Sequence, residues 1–206
     1  MAAEPSDRYR DRPVRRGRRP ATSKHELERV AFDLFERAGF EDTTVDDIAA
    51  AAGIGRRTFF RYFDSKNDVV WGSFTEQLDA MREQFGRCSA DQPIMAALRE
   101  VVVNFNRFDP AEVPWHRRRM ELILRVPALQ AHSTLRYAEW RTVVAEFVAD
   151  RLGLDVDALI PRTVSHATLG VCIAAYEHWL TQADARLTDI LDDALASLAG
   201  GFSDLA

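Results

Sequence analysis

Cysteine occurs only twice in this chain of 206 residues, at Cys88 and Cys172. The two are far apart and match no metal-ligand spacing, so a zinc module and a disulfide framework are both excluded. Both fall in helical patterns and are expected to be buried thiols. The five histidines, His25, His116, His132, His166 and His178, show no zinc spacing either. There is no glycine-rich phosphate loop, no GxSxG and no CxxC, which removes the common enzyme signatures and any expectation of a cofactor. No run approaches the roughly 18 consecutive apolar residues of a membrane span, so no membrane partner is expected. The Arg-rich start is followed by no apolar stretch, so it does not read as a secretory signal, and a cytoplasmic location is expected. Strand patterns bounded by turn residues are missing too, as are internal repeats. Lysine is scarce: of 27 basic residues only Lys24 and Lys66 are lysines, the imprint of GC-rich coding.

What remains is an unevenly charged, helical chain. The net charge is −5, yet residues 1–24 hold eight basic residues against three acidic, and residues 67–206 hold 13 against 20. A basic tip on an acidic body fits a DNA reader joined to a half with another task. Residues 1–21, polar and rich in Arg and Pro, read as a disordered basic arm. Its Arg15, Arg16, Arg18 and Arg19 suit the minor groove, or else a solubilising tail with only general attraction. Residues 22–66 read as a DNA-binding domain and 67–206 as a sensing and dimerisation domain.

Three helix starts share one signature. Ser23 with Glu26, Thr44 with Asp47 and Ser65 with Asp68 each pair a hydroxyl with a carboxylate three residues on, the pattern of a capping box. The first helix carries Leu27, Val30, Ala31, Leu34, Phe35 and Ala38 on one face and stops at Gly39. A short second helix spans about 45–52, and a third begins near Arg56. The fourth is expected to be long, with Val70, Phe74, Leu78, Met81 and Phe85 at helical spacing. Beyond it Pro93, Pro110, Pro114, Pro127 and Pro161 mark the boundaries of five further helices. The fold class is therefore all-α.

The segment Thr44–Phe63 has the anatomy of a helix-turn-helix. Gly53 supplies the left-handed turn. Ala49 is small enough for the helix crossing. Ile48, Ala52, Ile54, Phe59 and Tyr62 fill inner positions. Arg56, Arg57, Thr58 and Arg61 are left on the outer face, which would enter the major groove, where arginine to guanine is the commonest specific contact.

The run TTVDDIAAAAGIGRRTFFRYFDSKNDV, with the preceding Arg37-Ala38-Gly39-Phe40, resembles the DNA-binding domain of TetR-family repressors. By that resemblance Arg56, Arg57, Thr58 and Arg61 read bases or phosphates, and Thr44 and Lys66 anchor phosphates at two helix N-termini, as such termini allow. Phe60 stands where the family carries a tyrosine whose hydroxyl meets phosphate, with Tyr62 as the alternative hydroxyl. The family implies an all-α homodimer that binds a double-stranded operator and a small-molecule effector, most often as a repressor. The stretches VPWHRRRMELILRVPALQAHSTLRYAEWR and AGIGRRTFFRYF resemble, more narrowly, the regulators of the mycofactocin system, whose product is a peptide-derived redox cofactor.

For the sensing half, Phe74, Phe105, Trp115, Ile123 and Trp140 are candidates to line a cavity between helices. Arg117, Arg118 and Arg119 point in different directions around one helix. They are expected either to meet a ligand phosphate or carboxylate, as an acyl-CoA effector would supply, or to pair with Glu112, Glu121 or Glu139. The last two helices, about 158–181 and 187–199, carry small residues (Ala167, Gly170, Ala174) and a leucine row (Leu187, Leu191, Leu195), expected to form the dimer seam. The rival functional reading is an architectural DNA-binding protein that senses nothing, for which so long a second domain is superfluous.

Overall fold

The structure is a computed structural model that describes residues 23–203. Ten α-helices follow in order: α1 Lys24–Ala38, α2 Val45–Ala51, α3 Arg56–Phe59, α4 Lys66–Trp71, α5 Phe74–Arg87, α6 Ile94–Phe105, α7 Val113–Arg125, α8 Pro127–Leu152, α9 Leu159–Thr181 and α10 Leu187–Ala199. No strand occurs among the described residues. The all-α expectation and the places of the last five helices hold.

Local chemistry sets the starts. Ser23 accepts from the Glu26 amide at 3.1 Å while the Glu26 carboxylate accepts from the Ser23 amide at 2.9 Å. Thr44 and Asp47 close the same reciprocal box at 3.1 and 2.9 Å. Ser65 caps α4 by accepting from the Asp68 amide at 3.3 Å, but the Asp68 carboxylate turns elsewhere, to the Ser65 hydroxyl and to α8. Each cap satisfies an amide that the first helical turn leaves without a partner.

The expected long fourth helix is in fact two. α4 ends at Gly72, whose φ of +55° lies in the region only glycine enters readily, and α5 begins two residues later. The apolar periodicity runs through the break because both helices bury the same side: Val69, Val70 and Trp71 on α4, Phe74, Leu78, Met81 and Phe85 on α5. α4 packs on α1 and also on α7 and α8, so it is shared by the N-terminal helices and the C-terminal bundle.

The C-terminal half is a bundle in which α8 and α9 lie together, α10 packs on α9 and α6, and α5 on α6 and α8. Arg99 on α6 grips Asp192 on α10 through two guanidinium nitrogens. The leucine row corrects an expectation: Leu187, Leu191 and Leu195 face inward with 6, 0 and 1% exposure, so they belong to the chain's own core. Of the proposed seam, Ala167, Gly170 and Ala174 on α9 are exposed. Cys172 is buried as expected, and burial pushes its thiol up to about 12. Cys88 instead caps the end of α5 and is half-buried.

Candidate nucleic-acid interface and ligand cavity

The helix-turn-helix assembles as its residue types require. Ile48, Ala49 and Phe59 are buried, with Phe63 beside them, and Ile54 donates its amide to Ala49 O at 2.9 Å to close the turn at Gly53, φ +67°. This small core orients α3 so that Arg56, Arg57 and Arg61 are exposed and Thr58 is half-buried. Arg56 donates to Asp46 at 2.8 Å and lies over the Phe60 ring, and Arg61 lies over the Tyr62 ring and donates to its hydroxyl at 3.2 Å. Phe60, 41% exposed, thus acts as a platform for Arg56. Both contacts are solvent-facing and weak enough to exchange for a phosphate or a base edge. Thr44 is exposed at the start of α2, where its hydroxyl is held by Asp47 at 2.6 Å.

Lys66 is placed otherwise than expected. Its ammonium donates to the carbonyls of Phe40, Thr43 and Glu41 at 2.6, 2.8 and 3.3 Å, and sits 4.3 Å from the centre of the Phe40 ring. An ammonium has three hydrogens, and all three are directed at the α1–α2 loop. Lys66 therefore staples that loop to α4. Arg15, Arg16, Arg18 and Arg19 lie outside the described residues.

In the C-terminal half an apolar cavity of about 90 Å³ lies among α4–α9, roomy for a few waters and narrow for a longer ligand unless its walls part. Phe74, Phe105, Arg119, Ile123 and Trp140 line it as expected, joined by Trp71, Tyr137, His116 and Tyr176. Trp115 does not; it packs at a tilt against Phe32 of α1, ring centres 4.4 Å apart. Nor do Arg117 and Arg118. Arg117 donates to the carbonyls of Trp179 and Gln182 at 2.8 and 3.0 Å, closing the end of α9, and lies 4.0 Å from the Trp179 ring centre. Arg118 meets Glu36 at 3.3 Å on the surface. Arg119 pairs with Glu28 at 2.8 Å in the interior. Among the described residues none of the three pairs with Glu112, Glu121 or Glu139.

One polar wall of the cavity was not foreseen. Asn106 donates its side-chain amide to Val102 O at 2.8 Å, which turns its oxygen to accept from the Tyr176 hydroxyl at 2.5 Å. The Tyr176 proton being committed, His116 Nε2 is the donor in its 2.8 Å contact with the same hydroxyl. His116 is thus neutral with its proton on Nε2, and burial, aided by the charge of Arg119, pulls its pKa down to about 3. Burial also raises the Tyr176 hydroxyl well above its usual range. Behind this wall a second groove of about 320 Å³ opens toward Arg107 and Arg186, sharing Asn106, Phe108 and His116 with the cavity.

Sequence reasoning missed Glu28 as well. The signal was present: Glu28 sits one turn from Ala31 and Phe32 on the buried face of α1, and is itself 5% exposed. A carboxylate inside an apolar stripe needs a cation, and Arg119 is that cation.

Known proteins carry the same two parts. The family profile described as "Bacterial regulatory proteins, tetR family" matches residues 29–70, and that described as "MftR C-terminal domain" matches residues 92–203. A Mycobacterium tuberculosis protein, named as a candidate mycofactocin biosynthesis transcriptional regulator MftR, is 44% identical over 189 residues, 92% of this chain and 96% of its own. The transcriptional regulator TcmR of Streptomyces glaucescens is 31% identical over 85% of this chain and 80% of its own. Among solved structures, the fatty acid degradation regulator FadR of Bacillus halodurans superposes with a TM-score of 0.62 at 18% identity, covering 90% of this chain and 99% of that one. Thermus thermophilus FadR, solved with lauroyl-CoA, gives 0.57 at 20% identity, covering 87% and 94%. The helix-turn-helix, the helical remainder and these matches agree: the chain belongs to the TetR family of bacterial transcriptional regulators, in the branch with the MftR C-terminal domain.

Proposed function

We propose that this regulator represses the mycofactocin biosynthesis genes as a homodimer and leaves its operator when an amphiphilic anion, an acyl-CoA above others, occupies the cavity. The observation that carries the reading is the exposed Arg56 and Arg57 on α3, with Arg61 in the turn that follows, held by buried Phe59 and connected through α4 to an apolar cavity. Thr44, Arg56, Arg57, Thr58 and Arg61 approach the operator. The dimer forms along α9, where Gly170 has open space around its missing side chain and Leu159, at the same helix's start, is 78% exposed.

The apolar lining suits an acyl chain, and its parting would admit a longer one. Arg117 and Arg118 are engaged elsewhere, so the CoA phosphates would turn to the groove beside Arg107 and Arg186. A product of the mycofactocin pathway is the competing effector. Calorimetry over an acyl-chain series separates them: affinity rises by up to about 0.8 kcal/mol per methylene until the cavity is filled. Neutralising Arg107 and Arg186 weakens the whole series. A flat series, or no heat, sinks the acyl-CoA reading and leaves the DNA-binding one standing.

A further inference from the structure

Three ion pairs join α1 of the DNA-binding domain to later helices among the described residues: Lys24–Glu76, Glu36–Arg118 and Glu28–Arg119. The first two are surface contacts. In the third the Arg119 and Glu28 side chains are only 15% and 7% exposed. Arg119 also lines the cavity, and its Nε is buried with no hydrogen-bond partner. The pair rests on the α4–α5 break: a side chain built on Gly72 would lie 2.9 Å from one Glu28 oxygen and 3.0 Å from the other and from an Arg119 nitrogen. Arg119 therefore lines the cavity while its guanidinium meets the buried acid of α1 and the backbone at Gly72.

We propose that Glu28 and Arg119 form the link through which an occupied cavity reaches the DNA-binding domain, a ligand oxygen drawing the guanidinium away from Glu28. The inference rests on the ligand-responsive reading above and adds its transmission. The buried Nε is a donor awaiting an acceptor, which a carbonyl or carboxylate oxygen supplies. A guanidinium drawn toward that oxygen weakens its hold on Glu28. A buried carboxylate stripped of its cation is strongly unfavourable, and burial already holds the Glu28 carboxyl above its usual range with Arg119 beside it. Relief comes from moving α1 so that Glu28 meets water. α1 packs against α2, so the displacement reaches the helix-turn-helix. A ligand that fills the cavity without presenting such an oxygen binds and does not release.

The test uses the full chain, operator affinity by fluorescence anisotropy, and cavity occupancy by quenching of the lining Trp71 and Trp140. The probes are lauroyl-CoA and S-dodecyl-CoA, a thioether with the same chain and headgroup but no carbonyl. Without probe, Glu28→Gln lowers operator affinity about tenfold, while Glu36→Gln, on the surface pair, leaves it unchanged. Arg119→Lys keeps a charge for Glu28 but has no Nε, so operator affinity stays within about twofold and release by lauroyl-CoA falls at least about tenfold. On the parent, S-dodecyl-CoA quenches and does not release. A Glu28→Gln protein that is helical, dimeric and binds operator like the parent overturns the link. So does release by the thioether equal to that by the thioester. If lauroyl-CoA neither quenches nor releases the parent, the acyl-CoA reading fails, and the ligand-free comparison still decides the link.

Discussion

Replacing Lys66 by methionine keeps the aliphatic stem and deletes the charge that three carbonyls share. Two of those bonds are short, to Phe40 O at 2.6 Å and Thr43 O at 2.8 Å, and the third, to Glu41 O, is long and exposed at 3.3 Å. A hydrogen bond from a charged donor is worth about 1.5–3 kcal/mol net, and the half-exposed ammonium sits toward the low end of that range. The two good bonds together give a loss of about 3 kcal/mol, or about 6–12 °C in Tm for a chain of this size. Methionine still covers the Phe40 ring, so the loss comes from the loop carbonyls. Thermal melting by circular dichroism reads the stability, and operator affinity across a salt series reads the charge. A phosphate anchor would leave Tm unchanged and flatten the slope of log K against log salt by about 0.9. That pair of results would refute the staple; the expected outcome is a lower Tm with a nearly unchanged slope.

Four other substitutions have expected outcomes. Arg57→Ala costs roughly 1–3 kcal/mol of operator affinity and relaxes specificity at one base pair, read by competition with singly substituted duplexes. Leu191→Ala destabilises each subunit by about 2–5 kcal/mol in urea titrations, as a core leucine does, whereas Gly170→Arg on the open face of α9 leaves the subunit folded and yields monomers in light scattering. His116, a base whose pKa falls to about 3 on burial, adds stability at neutral pH that is lost as pH drops below the unfolded value near 6.5. Between pH 7 and pH 5 that loss is about 2 kcal/mol, and His116→Gln shows a correspondingly shallower acid limb in denaturant melts.

Where signals were local, the sequence was sufficient. Reciprocal Ser23–Glu26 and Thr44–Asp47 caps, Gly53 in its turn and prolines at helix starts act within a few residues, so the helix-turn-helix and the last five helices were legible. The break at Gly72 was not, because the apolar period continues across it and its cause is tertiary: two side chains from α1 and α7 fill the space a side chain would need. The arginine run was legible as a cluster but not as separate contacts, since consecutive helical residues face different neighbours. Arg117 reaches α9, Arg118 and Arg119 reach α1. The α10 leucines carried an apolar signal that a monomer core and a dimer seam share, and only packing assigns them to the core. Lys66 read as a phosphate contact because a lysine at a helix start is equally suited to nearby carbonyls, and the sequence does not show that loop 40–43 returns to it.

The exposed Arg56, Arg57 and Arg61 side chains are proposed to read an operator at the genes of mycofactocin biosynthesis. Fluorescence anisotropy with the full chain and labelled duplexes from the region upstream of those genes tests this reading most directly. The expected result is a saturable complex on one approximately palindromic duplex, at least about 10³-fold tighter than on a scrambled duplex of equal length, and lost when Arg56, Arg57 and Arg61 are all replaced by alanine. Equal affinity for the operator and scrambled duplexes, or undiminished binding by the triple variant, would contradict it.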